Sequence, residues 1–227
     1  MSQGATGLAT EKAPSLSLPV KYLVTAVFFF ALFHTLLFIA RDQLLFGHFV
    51  YPMLRAATHS ATLGWLTMMI MGAMYQLVPV VLQESIFSET LGHWGFWSYA
   101  AGVSALIAGF AAGALPFLIL GGSLAAVSIY IFIYNLARTL ARVAEWNITG
   151  VYLSAALAYL FITVAAGMLL ALNLQFGFLS NMGIGINFLA VHATAGGIGW
   201  FAMTAVGVGY KLVPMFALVH GHDERLG

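Results

Sequence analysis

Of the 227 residues, 62% are hydrophobic and only 7% are charged, against roughly 25% charged in an average soluble domain. So few charges cannot cover a water-soluble domain of this size, which points to an all-α polytopic membrane bundle of about six transmembrane helices. A formal net charge of +1 gives no basic footprint for nucleic acid, and the absence of cysteine excludes disulfides, thiolate metal sites, iron–sulfur clusters and covalently attached haem.

Residues 1–18 are polar and rich in Ser, Gly and Ala, without the basic start and cleavage site of a secretory signal. They read as a disordered cytoplasmic tail, and the first apolar run reads as a retained helix. A bilayer-spanning helix needs about 20 mostly apolar residues, and six segments qualify: 19–40, 52–82, 94–113, 115–137, 150–172 and 185–219. Polar or punctuated linkers separate them at 41–51, 83–93, 114–116, 138–149 and 173–184. The spans form one domain over 19–219, and 220–227 is a second cytoplasmic tail. Lysine and arginine asymmetry sets the orientation. Lys12, Lys21, Arg138, Arg142, Lys211 and Arg225 fall on one side, and Arg41 and Arg55 on the other. Both termini are therefore expected in the cytoplasm of a bacterial-type plasma membrane.

With that topology three histidines share a depth. His34 lies near the outward end of the first span, His59 about seven residues into the second and His192 about seven residues into the sixth, each roughly 10 Å beneath the outer surface at 1.5 Å rise per residue. Ionisable groups inside a membrane are costly and suggest a functional site. A single such histidine is as readily explained by a hydrogen bond to a neighbouring helix, but three at one depth from three helices are less so. His93 starts the third span at the other face, His48 sits in a loop, and His220 and His222 fall in the C-terminal tail. The carboxylates are Glu11, Asp42, Glu84, Glu89, Glu145, Asp223 and Glu224. None is placed inside a span, which argues against a carboxylate-based pump.

An imperfect repeat links the second and sixth spans. Gly64-Trp65, Met68, Gly72, Tyr75 and Leu77-Val78-Pro79 recur as Gly199-Trp200, Met203, Gly207, Tyr210 and Leu212-Val213-Pro214 at a constant offset of 135, with no gap. The glycines permit close helix approach or leave room for a flat ligand. The prolines are expected to break or kink each helix near its cytoplasmic end. The histidines depart from the repeat by two residues, about 200° of helix rotation, so no exact pseudo-symmetry holds a shared ligand.

The run Thr58-His59-Ser60-Ala61-Thr62-Leu63-Gly64-Trp65, leading to Gly72, Tyr75 and Pro79, resembles the histidine-bearing helices of haem-copper oxidase catalytic subunits, especially the small subunit-I-like membrane proteins of that superfamily. His192-Ala193-Thr194-Ala195 with Gly199-Trp200, Tyr210 and Pro214 resembles the same motif, a helix style shared by the nitric-oxide-related haem-copper proteins. The resemblance implies that histidines near the outer face hold haem iron. Full catalytic subunits carry twice the spans and more histidines, so one protomer of this chain is not a complete oxidase or NO reductase.

The expected function is that of a cytochrome b: a non-covalent haem b with His59 and His192 as axial ligands, serving electron transport or binding of NO or O₂. His34 is then a distal group, an alternative ligand or a supporting partner. Arg55, four residues before His59 on the same helix face, suits a haem propionate through a charge-assisted bond, and Arg41 suits the other. Tyr51, Trp65 and Trp200 are candidates to pack on the macrocycle. The alternatives are a copper or zinc binding or transport protein using His34, His59 and His192 with Met53 or Met68, and a non-catalytic subunit of a respiratory complex. Expected partners are membrane lipid, a redox protein or quinol, and a second copy in a homodimer. Gly102, Gly109, Gly113, Gly121 and Gly122 of the third and fourth spans offer close-packing surfaces for that dimer.

Overall fold

Each apolar run closes its own backbone hydrogen bonds as a helix, the economical solution where no water can satisfy them. The computed structural model describes residues 12, 14–46 and 51–217. Within them run α1 (Ser17–Ile39), α2 (Pro52–Leu82), α3 (Glu89–Ala112), α4 (Leu115–Leu140), α5 (Ile148–Phe176) and α6 (Gly185–Phe216), all long and apolar enough to cross a bilayer. The chain is an all-α multi-pass membrane bundle. A short helix, Arg41–Phe46, follows α1, and another, Phe178–Asn181, joins α5 to α6. His48, His220, His222, Arg225 and most of the two proposed tails lie outside the described residues.

Caps shift two helix starts from their expected places. Ser88 accepts from the Leu91 amide, so α3 begins at Glu89 and takes His93 and Glu89 into its first two turns. Asn147 accepts from the Gly150 amide and opens α5 at Ile148. At the far end α5 runs on to Phe176, and its Asn173 accepts from the amides of Leu179 and Ser180, which folds the connection to α6 back on itself. The prolines do not break their helices. α2 continues past Pro79 to Leu82 and α6 past Pro214 to Phe216, since one missing N–H near a helix end forfeits a single backbone bond.

Neighbours in sequence are neighbours in space: α1 packs on α2, α2 on α3, α3 on α4, α4 on α5 and α5 on α6. The closest of these contacts is α3 on α4, made by three glycines. A methyl on Gly102 would stand 2.5 Å from the Ala125 backbone nitrogen, while Gly109 abuts Leu118 and Gly121 abuts Leu106, also backbone to backbone. These glycines are consumed within the protomer. Of the other two glycines expected to pack against a second copy, Gly122 is placed so that a methyl would meet the Leu106 and Met168 side chains at 3.6 and 3.8 Å, and Gly113 serves the α3–α4 turn with φ +64°. Tyr22, Met68, Met71, Tyr75, Tyr99 and Phe132 fill the core between α1 and α4. By contrast α2 and α6 scarcely approach each other along the backbone.

Two π-helical segments interrupt the α-helical winding, Ser60–Thr67 in α2 and Ala195–Ala202 in α6. They sit in the same place of the repeat, and such insertions are frequent at functional sites. The first begins at the residue after His59, the second three residues after His192.

Candidate haem-ligating histidine pair

His59 of α2 and His192 of α6 come together at one end of the bundle. Their ring centroids are 6.4 Å apart and their planes differ by 23°. Each ring is fixed by a bond at Nδ1. The His59 Nδ1–H donates to the Arg55 carbonyl at 2.8 Å, one turn back in its own helix. The His192 Nδ1–H donates across to the Thr163 carbonyl of α5, also at 2.8 Å. A carbonyl only accepts, so Nδ1 carries the proton, and in the neutral ring Nε2 keeps its lone pair for a metal. This arrangement is the usual one for metal-bound imidazoles, whose other nitrogen donates to a carbonyl or carboxylate.

Two flat contacts hold the rings. Phe110 of α3 stacks on His59 with centroids 4.7 Å apart and planes 25° apart. His192 lies against Gly167 of α5, where a methyl would meet its Cε1 at 2.8 Å and its Nδ1 at 3.1 Å. Neither Phe110, Thr163 nor Gly167 was among the sequence candidates. Gly167 is marked only as a glycine in an apolar helix, and Thr163 contributes a carbonyl that every residue has.

The donor set can be tested against a metal directly. Two imidazoles bound in trans, with metal–nitrogen bonds of about 2.0–2.1 Å and ring centres about 1.1 Å further out, would have centroids about 6.3 Å apart. The two rings stand at a comparable separation. Both rings are half-buried.

The other candidates fall elsewhere. His34 is exposed and donates from Nδ1 to the Phe30 carbonyl at 2.8 Å, its ring wedged edge-on between Phe30 and Phe33. Among the described residues no three His, Cys, Asp or Glu side chains gather to hold a metal ion, so the three-histidine set does not close. The Arg55 side chain is half-buried one turn from His59 and makes no ion pair or side-chain hydrogen bond among the described residues. Arg41 is exposed, pairs with Asp42 at 3.8 Å and lies over the Phe38 ring. Trp200 is buried in the core, its Nε1 donating to Thr67 Oγ1 at 3.3 Å, two turns beyond His192. Trp65 packs on Phe30 with centroids 4.4 Å apart, and Tyr51 is exposed. His93 meets Lys21 at the opposite end of the bundle. No family model, curated protein or solved structure gives a significant match to this chain.

Proposed function

We propose that the chain is a membrane b-type haem protein, of the haem-copper oxidase-like kind its motifs resemble, with His59 and His192 as the axial ligands. The observation that carries this reading is the pair itself: two imidazoles with Nδ1 bonded to a carbonyl and Nε2 free to ligate, their centroids 6.4 Å apart. Haem needs only two ligands from the protein, because its macrocycle fills the other four positions. A structural zinc site draws four ligands from protein and a catalytic one at least three, so a two-histidine set favours haem over the zinc reading.

Bound there, haem supplies one-electron redox chemistry and, where an axial position opens, a seat for NO or O₂. Each residue has its part. His59 and His192 donate Nε2 lone pairs, and their Nδ1–H bonds to Arg55 and Thr163 fix the rings and raise their basicity. Phe110 and Gly167 set the ring planes. Arg55 offers its guanidinium to a carboxylate on the cofactor's rim. His34, beside the pair in depth but turned onto Phe30, acts on ligand access rather than as a ligand. The site lies near the outer face with both termini cytoplasmic, and electrons pass to a redox protein or a membrane quinol.

Haem per protomer, measured on protein purified from haem-sufficient cells, tests this reading. About one haem with a Soret band is expected, with retention falling in both His59→Ala and His192→Ala and persisting in His34→Ala. A colourless protein, or full haem retention in both ligand variants, would overturn it.

A further inference from the structure

Two packed units carry the two histidines. α2 is seated on α1 and α6 on α5, and the same repeat glycines make both contacts. Gly64 rests on the Phe29 ring and Gly199 on the Tyr159 ring, while Gly72 rests on Tyr22 Cβ and Gly207 on Tyr152 Cβ. How far His59 stands from His192 therefore depends on how the α1–α2 unit is joined to the α5–α6 unit. α5 packs on α4, but α2 and α6 make few backbone contacts with each other. Towards their C-terminal ends they part around a cavity of about 180 Å³ lined by Ile70, Met74, Phe201 and Thr204.

Side chains bridge that gap at two levels. The first is the histidine pair. The second lies eight residues beyond His59 and His192 alike, where Trp200 Nε1 of α6 donates to Thr67 Oγ1 of α2 at 3.3 Å. At helical rise that is roughly 10 Å below the pair on both helices. The π-helical segments, Ser60–Thr67 and Ala195–Ala202, fill most of the stretch between the two levels. Trp200 and Thr67 are each 1% exposed, and a buried indole N–H needs an acceptor. The buried apolar side chains of α6 are Ala195 and Trp200. Trp200 is the one that reaches the core, where Phe132 of α4 meets it edge-on at 6.3 Å. Its repeat partner Trp65 packs instead on Phe30 of its own unit, so the repeat does not require an indole to cross. Tyr99 of α3 holds the same turn of α2 from the other side, donating to the Leu63 carbonyl at 3.0 Å.

We propose that the Trp200–Thr67 hydrogen bond positions the haem site: it sets the span between the two histidine-bearing helices, and with it the separation and tilt of the axial rings. Its cause is read from the α2–α6 geometry alone, and its consequence for haem rests on the function proposed above. Trp200 and Thr67 are positioning residues, acting through His59 and His192. A site must be held to within about 0.5 Å of its working geometry. Loss of supporting contacts around metal ligands typically lowers metal affinity about 10–100-fold, and this more distant contact belongs at the lower end.

Thr67→Val keeps the side-chain volume and removes the acceptor, whereas Thr67→Ser keeps the acceptor. In the cysteine-free chain, nitroxide labels on Tyr51→Cys and Ile186→Cys, both exposed at the starts of α2 and α6, read the helix span by pulsed electron paramagnetic resonance without haem. The native distance distribution should broaden and shift in Thr67→Val and in Trp200→Phe, and return in Thr67→Ser. With haem loaded, Thr67→Val should lower haem affinity about tenfold and move the low-spin ferric signal, while Thr67→Ser does neither. If Thr67→Val fails to fold, Trp200→Phe carries the same comparison. A distance distribution equal to the native one in these variants, or an unchanged haem affinity and low-spin signal, would overturn the proposal. A native chain that binds no haem would end the haem reading, and the distance comparison would still decide whether this bond spaces the helices.

Discussion

Gly167 determines how His192 can stand. A methyl there would press on the ring at 2.8 Å from Cε1, and turning the ring away would break its Nδ1–H bond to Thr163. Gly167→Ala should keep the helical fold at a cost of about 1–3 kcal/mol of overpacking. It should lower haem retention and shift the remaining iron from low-spin towards high-spin, read in the optical spectrum. An unchanged spectrum would show that His192 is not held this way. The sequence placed His59 and His192 at one depth because helix rise and span boundaries are readable from hydropathy. It also placed His34 with them, since depth says nothing about which way round its helix a side chain points. Thr163, Gly167 and Phe110 stayed hidden because they act through a carbonyl, a missing side chain and a stacked ring, none of which a motif marks.

At the scale of the helices, the α3–α4 contact and the turn before α3 hold the bundle together. Gly121 meets the Leu106 backbone with no room for a Cβ. Gly121→Val should therefore force the two helices apart and destabilise by at least about 3 kcal/mol, seen as a lower midpoint of thermal unfolding in detergent. A second hold is Asn135, buried in α4. Its Oδ1 accepts from the Ser88 amide at 2.9 Å and its Nδ2 donates to the Ser88 carbonyl at 2.8 Å. Asn135→Ala strands both backbone groups and should cost about 2–4 kcal/mol, measured in the same way, without displacing the histidine pair at the other end. The spans themselves were legible from composition, yet their ends moved wherever a cap intervened. The chain carries α3 back to Glu89 and α5 back to Ile148 because Ser88 and Asn147 satisfy amides that hydropathy ignores. α2 and α6 run through Pro79 and Pro214 to their ends a few residues later, for near a helix end the lost hydrogen bond is tolerable. The repeat was half legible: α2 and α6 share many letters, whereas α1 and α5 share few, among them Tyr22-Leu23 and Ala26 with Tyr152-Leu153 and Ala156.

For the molecule as a whole, orientation rests on the charge asymmetry of its loops. Single cysteines at Ser2 and Ser88 should react with an impermeant thiol reagent only from the cytoplasmic side, and one at Gly47 only from outside. The opposite pattern would move the histidine pair to the cytoplasmic face while leaving its geometry intact. The proposed haem would stand between His59 and His192, whose ring planes are 23° apart. Low-temperature electron paramagnetic resonance of the oxidised, haem-loaded protein reads it. Two nearly parallel axial imidazoles should give a rhombic low-spin ferric signal, lost in His59→Ala and in His192→Ala. A signal that is wholly high-spin in the native chain, or a low-spin signal that survives both substitutions, would contradict it.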